Sequence, residues 1–153
     1  MVIKMDIVDV KGRLHDSRIL SVISHSVYRP SEEKLAALAD KFESDKDIRA
    51  FAYDGDGVFC GVIVLKELEN GEFEIRSIAV DPSFRNRGIA SILISHAVDT
   101  LECSLLKAET DEDAVGFYRK YGFHIESLGE KYPGTVRYLC LLRTKKSKEN
   151  SSQ

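Results

Sequence analysis

The stretch VDPSFRNRGIASILISHAVDTL, residues 80–101, constrains the fold more than any other part of the chain. The run EFEIRSIAV ends at its start, and apolar residues then recur as Ile89, Ile92, Leu93, Ala97 and Leu101. A β-rich run followed by a stripe of period 3.6 means a strand, then a helix from about residue 88 to 101. A second short strand, SLLKAE, begins at Ser104. A strand, a helix and a strand in succession make the two strands parallel neighbours joined by a right-handed crossover. The chain must therefore contain a sheet with at least one parallel pair, and a helix that starts at the carboxyl end of the first of those strands.

The flanks extend this unit. Ile3, Met5 and Ile7 alternate as a first strand, and Leu20, Ile23 and Val27 recur as a helix that Pro30 ends. Ser31, Glu32 and Glu33 open a second helix with a buried stripe of Leu35, Leu38 and Phe42. IRAFAYD and VFCGVIVLKEL, joined through the turn DGDG at 54–57, read as antiparallel strands, and Asn70-Gly71 turns the chain into EFEIRSIAV. After SLLKAE, Thr110 and Asp113 resemble a capping box for a helix over 114–121 that Gly122 stops. FHIESL and TVRYLCLL, linked by the loop GEKYPG, complete the sheet. The expected order is β-α-α-β-β-β-α-β-α-β-β, an α/β class fold with a mixed sheet and helices on its faces.

At 153 residues the chain has the size of one domain, assigned to 1–142, followed by a basic tail over 143–153 read as solvated and disordered. Without the last eleven residues the chain holds 18 basic against 24 acidic residues. That acidic body argues against nucleic acid as a partner. No apolar run reaches the length of a membrane span, so no membrane partner is expected. Cys60, Cys103 and Cys140 are odd in number and lack metal spacing, as do His15, His25, His96 and His124. No metal is expected, and the cysteines read as buried thiols of a protein in the reducing cytoplasm.

The strand-to-helix turn carries Arg85, Asn86, Arg87 and Gly88. A helix start leaves backbone N–H groups unpaired beside a partial positive charge, which suits an anion. Gly88 lets phosphate oxygens approach the backbone, Ala90 is small, and the arginines add charge-assisted bonds from the flanks. The turn reads as a cradle for two linked phosphates.

IRSIAVDPSFRNRGIASILISHA resembles the acyl-coenzyme A signature of the GNAT superfamily of N-acetyltransferases, R/Q-x-x-G-x-G/A after an IAV strand end, here Arg85, Gly88 and Ala90. LKAETDEDAVGFYRKYGF resembles the second block of that family, with Ala114, Phe117, Tyr118, Gly122 and Phe123 matching. The resemblance runs along nearly the whole chain apart from the tail. It implies acetyl-CoA as cosubstrate and a GNAT fold whose two central parallel strands splay apart. It places the pyrophosphate on Arg85, Asn86, Arg87, Gly88, Ile89, Ala90 and Ser91. The pantetheine arm would run along Ile78, Ala79 and Val80, with Phe117 also at the cofactor. One position departs from the pattern: the family often carries Asn where this chain has Asp111, which can accept a hydrogen bond but repels phosphate.

The resemblance further implies direct transfer of the acetyl group to a primary amine in a ternary complex. Tyr118 matches the tyrosine that protonates the departing thiolate, and a phenol of pKa near 10, above a thiol's 8.5, is suited to that task. Glu74 matches the glutamate base of histone-acetylating members, although many members use a water chain instead. Alternation places Glu74, Arg76, Ile78 and Val80 on one face unless a bulge intervenes. The amide of Ile78 or Val80 is the candidate for polarising the thioester carbonyl. The acceptor, a small-molecule or protein amine, is expected between walls formed by His25, Tyr28 and Arg29 on one side and Tyr132 and Pro133 on the other. The alternative is a non-catalytic acyl-CoA-binding module. The edge strands and the last hairpin offer surfaces for a homodimer.

Overall fold

The computed structural model describes residues 5–144. Its elements are β1 (Met5–Asp9), α1 (Ser17–Ile23), α2 (Glu32–Ser44), β2 (Ile48–Gly55), β3 (Phe59–Glu67), β4 (Glu72–Val80), α3 (Ile89–Thr100), β5 (Leu105–Thr110), α4 (Glu112–Tyr121), β6 (His124–Tyr132) and β7 (Thr135–Arg143). Short 3-10 turns at Ser24–Ser26 and Pro82–Phe84 follow α1 and β4. The element order is the expected one. One seven-stranded sheet runs β1-β2-β3-β4-β5-β7-β6, and β4–β5 is its parallel pair.

Side chains alternate across the sheet and feed two cores. Ala50, Ala52, Val62 and Val64 pack with Ile19 and Val22 of α1 and Ala39 and Phe42 of α2. Phe51, Ile63 and Leu65 pack with Leu93 and Ile94 of α3 and Val115 and Tyr118 of α4. Neighbouring β-branched residues thus serve opposite cores, which is why β3 reads as a continuous apolar run. Cys60, Cys103 and Cys140 are buried and free, as expected, and burial pushes the Cys103 thiol up to about 11.

Gly61 sets how closely α3 approaches the sheet. A Cβ there would lie 2.9 Å from the Ile89 side chain, 3.1 Å from that of Leu93 and 3.3 Å from the carbonyl oxygen of Ala79. Both side chains are buried and the carbonyl belongs to β4, so little can yield. Gly61→Ala is expected to cost about 1–3 kcal/mol by overpacking, and to weaken any ligand held at the first turn of α3. Denaturant titration together with ligand calorimetry checks both.

The central parallel pair is short. Glu72, Phe73 and Glu74 pair with Leu105, Leu106 and Lys107; beyond them β4 and β5 share no ladder. The expected splay is present, and it opens toward the start of α3. β4 also carries a bulge: Leu65 faces Ile75 and Val64 faces Ser77, which leaves Arg76 without a partner in β3. The extra residue changes the parity of the strand. Phe73 and Ile75 before it, and Ile78 and Val80 after it, all pack on the α3–α4 core, whereas Ala79 belongs to the α1–α2 core. Glu74 therefore shares its face with Ser77 and Ala79. The uninterrupted alternation that grouped Glu74 with Ile78 and Val80 is corrected by this bulge.

Three local readings also change. The N-cap of α4 is Asp111, whose Oδ1 accepts the Ala114 N–H at 3.1 Å, one residue after the expected Thr110. β6 continues through most of the expected GEKYPG loop to Tyr132 and leaves a two-residue turn at Pro133-Gly134. Register shifts at 127–129 and 130–132 absorb the irregular stretch, with Gly129 at φ 75°. Finally, Arg143 pairs with Leu105, and the Thr144 hydroxyl donates to the Cys103 carbonyl at 2.6 Å, so the folded unit extends past the expected boundary at 142. The remainder of the expected tail lies outside the described residues.

Candidate active site

The turn between β4 and α3 is built in two steps. The Asp81 carboxylate accepts the Ser83 N–H at 2.9 Å and caps the 3-10 turn. Asn86 and Gly88 then take left-handed conformations, at φ 64° and 76°, and reverse the chain into α3. Glycine meets this demand without strain, and asparagine tolerates it. The first helical bond runs from the Ile92 N–H to the Gly88 carbonyl at 3.0 Å. No side chain caps the helix, so the amides of its first turn are open to an external acceptor. No atom would lie within 4 Å of a Cβ on Gly88, so the space before it is free.

A groove of about 970 Å³ opens at this turn. Its lining includes Val80, Arg85, Asn86, Gly88, Ile89, Ala90, Ser91 and Phe117, all expected at the cofactor. Phe84, Asp113, Lys120 and Tyr121 line it as well and were missed. The last three share a face of α4 with Phe117 at spacings of three and four residues, the one signal that marked them. The Tyr121 hydroxyl is 2.8 Å from that of Ser95 and ties α4 to α3 across the groove.

Four expected cofactor residues lie outside that lining. Arg87 is exposed and sets its guanidinium over the Phe84 ring at 5.4 Å. Ile78 packs on the α3–α4 core, and Ala79 points to the opposite core. The Asp111 side chain is turned into the cap of α4.

Tyr118 is buried on α4 beside the groove wall. Its ring meets Phe117 and Phe123 edge-on, with centroids 5.3 and 5.1 Å apart. Burial above all, and then the neighbouring Cys140, push its phenol up to about 12. Glu74 lies on the other face of the sheet, where its carboxylate accepts a bond from Arg76 at 2.8 Å.

The expected acceptor residues lie in two separate segments of the fold. The turn Ser24–Ser26 packs on β4, and the Ser26 and Ser77 hydroxyls are 2.9 Å apart. After it, Tyr28 is 79 % exposed and the Arg29 guanidinium lies 5.3 Å from its ring centre. The Lys34 ammonium donates to the carbonyls of both residues and holds Arg29 at φ 47°. On the other side, β6 and β7 run past the end of β5 at Thr110, which carries Tyr132 to the end where the sheet splays. Lys131 and Arg137 both donate to Glu109 there, at 2.9 and 3.3 Å, and hold its carboxyl below the usual range.

Among the described residues no helix is long and apolar enough to cross a membrane. Over a stretch of 64 residues, 37 % of this chain and 44 % of the relative, the sequence is 34 % identical to peptidyl-lysine N-acetyltransferase YjaB of Escherichia coli. The match thus spans less than half of that relative. A GNAT-family protein from Desulfovibrio desulfuricans superposes with a TM-score of 0.79 at 19 % identity, covering 92 % of this chain and 99 % of that one. A GNAT acetyltransferase from Elizabethkingia anophelis, solved with acetyl-CoA bound, superposes with a TM-score of 0.67 at 20 % identity, covering 92 % and 98 %. These structures share the fold. The model of the Acetyltransferase (GNAT) family matches residues 18–123, well over half of the sequence, and the chain belongs to that family.

Proposed function

We propose that this protein is an N-acetyltransferase that binds acetyl-CoA in the α3–α4 groove and passes the acetyl group to a primary amine in a ternary complex. The observation that carries the reading is the uncapped start of α3, with Gly88 at φ 76° and open space before it, at the mouth of a split parallel pair. The residues fit the cosubstrate. Amides of residues 88–91 and the Arg85 guanidinium suit a diphosphate, with Asn86 at the turn and Arg87 adding charge from outside. Phe84 and Phe117 offer apolar walls, and the edge of β4 left free by β5 offers amides to an extended arm near Ile78, Ala79 and Val80. Asp111 serves α4 as its cap. When bound, acetyl-CoA supplies an activated acyl carbon at the end of that arm.

The chain's own groups then divide the work. The Ile78 or Val80 amide polarises the thioester carbonyl. Tyr118, protonated throughout the physiological range, donates to the leaving sulfur. Glu74 takes the proton of the amine once its bond to Arg76 opens. Glu74→Gln is expected to lower kcat/KM by about 10²-fold at neutral pH, with the deficit shrinking as the medium becomes basic enough to deprotonate the amine unaided. A pH profile of both proteins checks this; equal profiles leave the proton to a water chain.

His25, Tyr28 and Arg29 form one wall of the acceptor site, and Tyr132 with Pro133 the other. The peptidyl-lysine activity of the Escherichia coli relative makes the lysine side chain the first amine to try. The three buried thiols support residence in the reducing cytoplasm. An amine panel assayed by thiol release, with mass spectrometry of the product, tests the proposal. Thermal shifts with acetyl-CoA, ATP and NAD separate it from a general phosphate site. Stabilisation by acetyl-CoA without transfer to any amine would favour the non-catalytic binding module.

A further inference from the structure

The contact between the Ser24–Ser26 turn and β4 fixes the direction of a proton. The Ser26 hydroxyl lies 2.8 Å from the Ile23 carbonyl oxygen and 2.9 Å from the Ser77 hydroxyl. A carbonyl only accepts, so the single proton of Ser26 is committed to Ile23. Ser26 Oγ is then the acceptor for the proton of Ser77. Ser77 is left presenting lone pairs, and among the described residues its hydroxyl makes no other hydrogen bond.

The position of Ser77 gives this polarity a use. It is the first residue after the β4 bulge to regain a partner in β3, and it lies beyond the last residue that pairs with β5. It shares a face with Glu74 and is 8 % exposed. A donor group that reached Ser77 from the split in the sheet would meet an oxygen there rather than an O–H.

We propose that Ser77, oriented by Ser26, holds the nucleophile through one N–H and thereby selects amines over alcohols. The inference rests on the acetyltransferase reading. An attacking amine must give up one proton, keep its lone pair aimed at the acyl carbon, and have its remaining hydrogens held. An ammonium has three hydrogens, so one can go to the base while another stays on Ser77. An alcohol has a single hydrogen, and whichever group takes it leaves the other without a partner. Ser77 is thus an orienting residue that touches substrate, and Ser26 a positioning residue that acts through it.

The test compares Ser77→Ala, Ser26→Ala and Ser26→Thr with the wild type. The probe is a peptide with one lysine, titrated calorimetrically into protein saturated with coenzyme A, alongside KM and kcat for that peptide. Loss of a hydrogen bond to a charged donor predicts a Kd and KM for the peptide about tenfold higher in Ser77→Ala. Ser26→Ala, which frees the Ser77 proton to turn outward, is expected to show the same direction, and Ser26→Thr to restore wild-type values. Affinity for coenzyme A should be unchanged in all three, which also reports that they are folded. Equal peptide affinity in Ser77→Ala and wild type, or a coenzyme A complex that binds no peptide, overturns the inference alone. A wild type that binds no coenzyme A overturns the groove reading and this one with it.

Discussion

Replacing Tyr118 by Phe is expected to lower kcat by about 10²-fold or more, within the range for loss of a positioned proton donor, while the Kd for acetyl-CoA stays the same. The exchange removes one oxygen and keeps the ring, so the edge-on contacts with Phe117 and Phe123 survive. Selectivity for kcat follows from what is kept: the ring packs in the core and is absent from the groove lining, so the exchange leaves the binding surface as it is and removes only the donor oxygen. The high phenol pKa adds a second signature. At about 12 in the fold, against about 10 in an unfolded chain, the neutral form is favoured by burial. Tyr118 thus lends stability that is complete below pH 10 and disappears as pH climbs from 10 toward 12, a loss of roughly 2–3 kcal/mol. The Phe variant lacks that loss. Because burial raises the three cysteine thiols alike in both proteins, the difference between their alkaline melting curves isolates the tyrosine. Turnover that is unaltered in the Phe variant would remove Tyr118 from the chemistry.

What could be read from the sequence divides along physical lines. The strand-to-helix turn was legible because its requirements are local: a β-rich run, a glycine at the reversal, and an amphipathic stripe with Ile89 and Leu93 on the buried side. The parallel pair followed from chain order alone. The bulge at Arg76 was not legible, because a bulge is set by pairing between strands, and nothing in EIRS differs from a regular strand. That one residue moved Glu74 to the other face from Ile78 and Val80. The hairpin after α4 was shortened for a related reason: GEKY has loop composition, yet register shifts beside a positive-φ glycine let it pair as an irregular edge. Lys120 and Tyr121 escaped notice because helix α4 has two working faces, one on the core and one on the groove, and apolar periodicity reports only the first. The Ser26–Ser77 bond joins residues 51 apart in the chain, and no pattern in either segment announces it.

The double substitution Arg85→Glu with Arg87→Glu is expected to weaken acetyl-CoA by about 10²–10³-fold at low salt. Both side chains are exposed, so each attraction to a phosphate is worth only about 1 kcal/mol in a high dielectric. Reversal replaces each attraction with a repulsion of similar size, at most roughly 2 kcal/mol per site and 4 for the pair, which sets an upper bound of about 10³-fold before screening. The two residues should contribute unequally. Arg85 lines the groove, whereas Arg87 stands outside it over the Phe84 ring, so Arg85→Glu alone is expected to account for most of the loss. Raising the salt shortens the Debye length to a few ångströms and should close much of the gap between variant and wild type. The amides of α3 are untouched by either change, and they set the affinity that remains in high salt. Melting temperatures should hold, because neither arginine makes a salt bridge among the described residues. Calorimetric affinity that does not change in the double variant would mean that the diphosphate is anchored elsewhere, and the start of α3 would lose its assignment as the cradle.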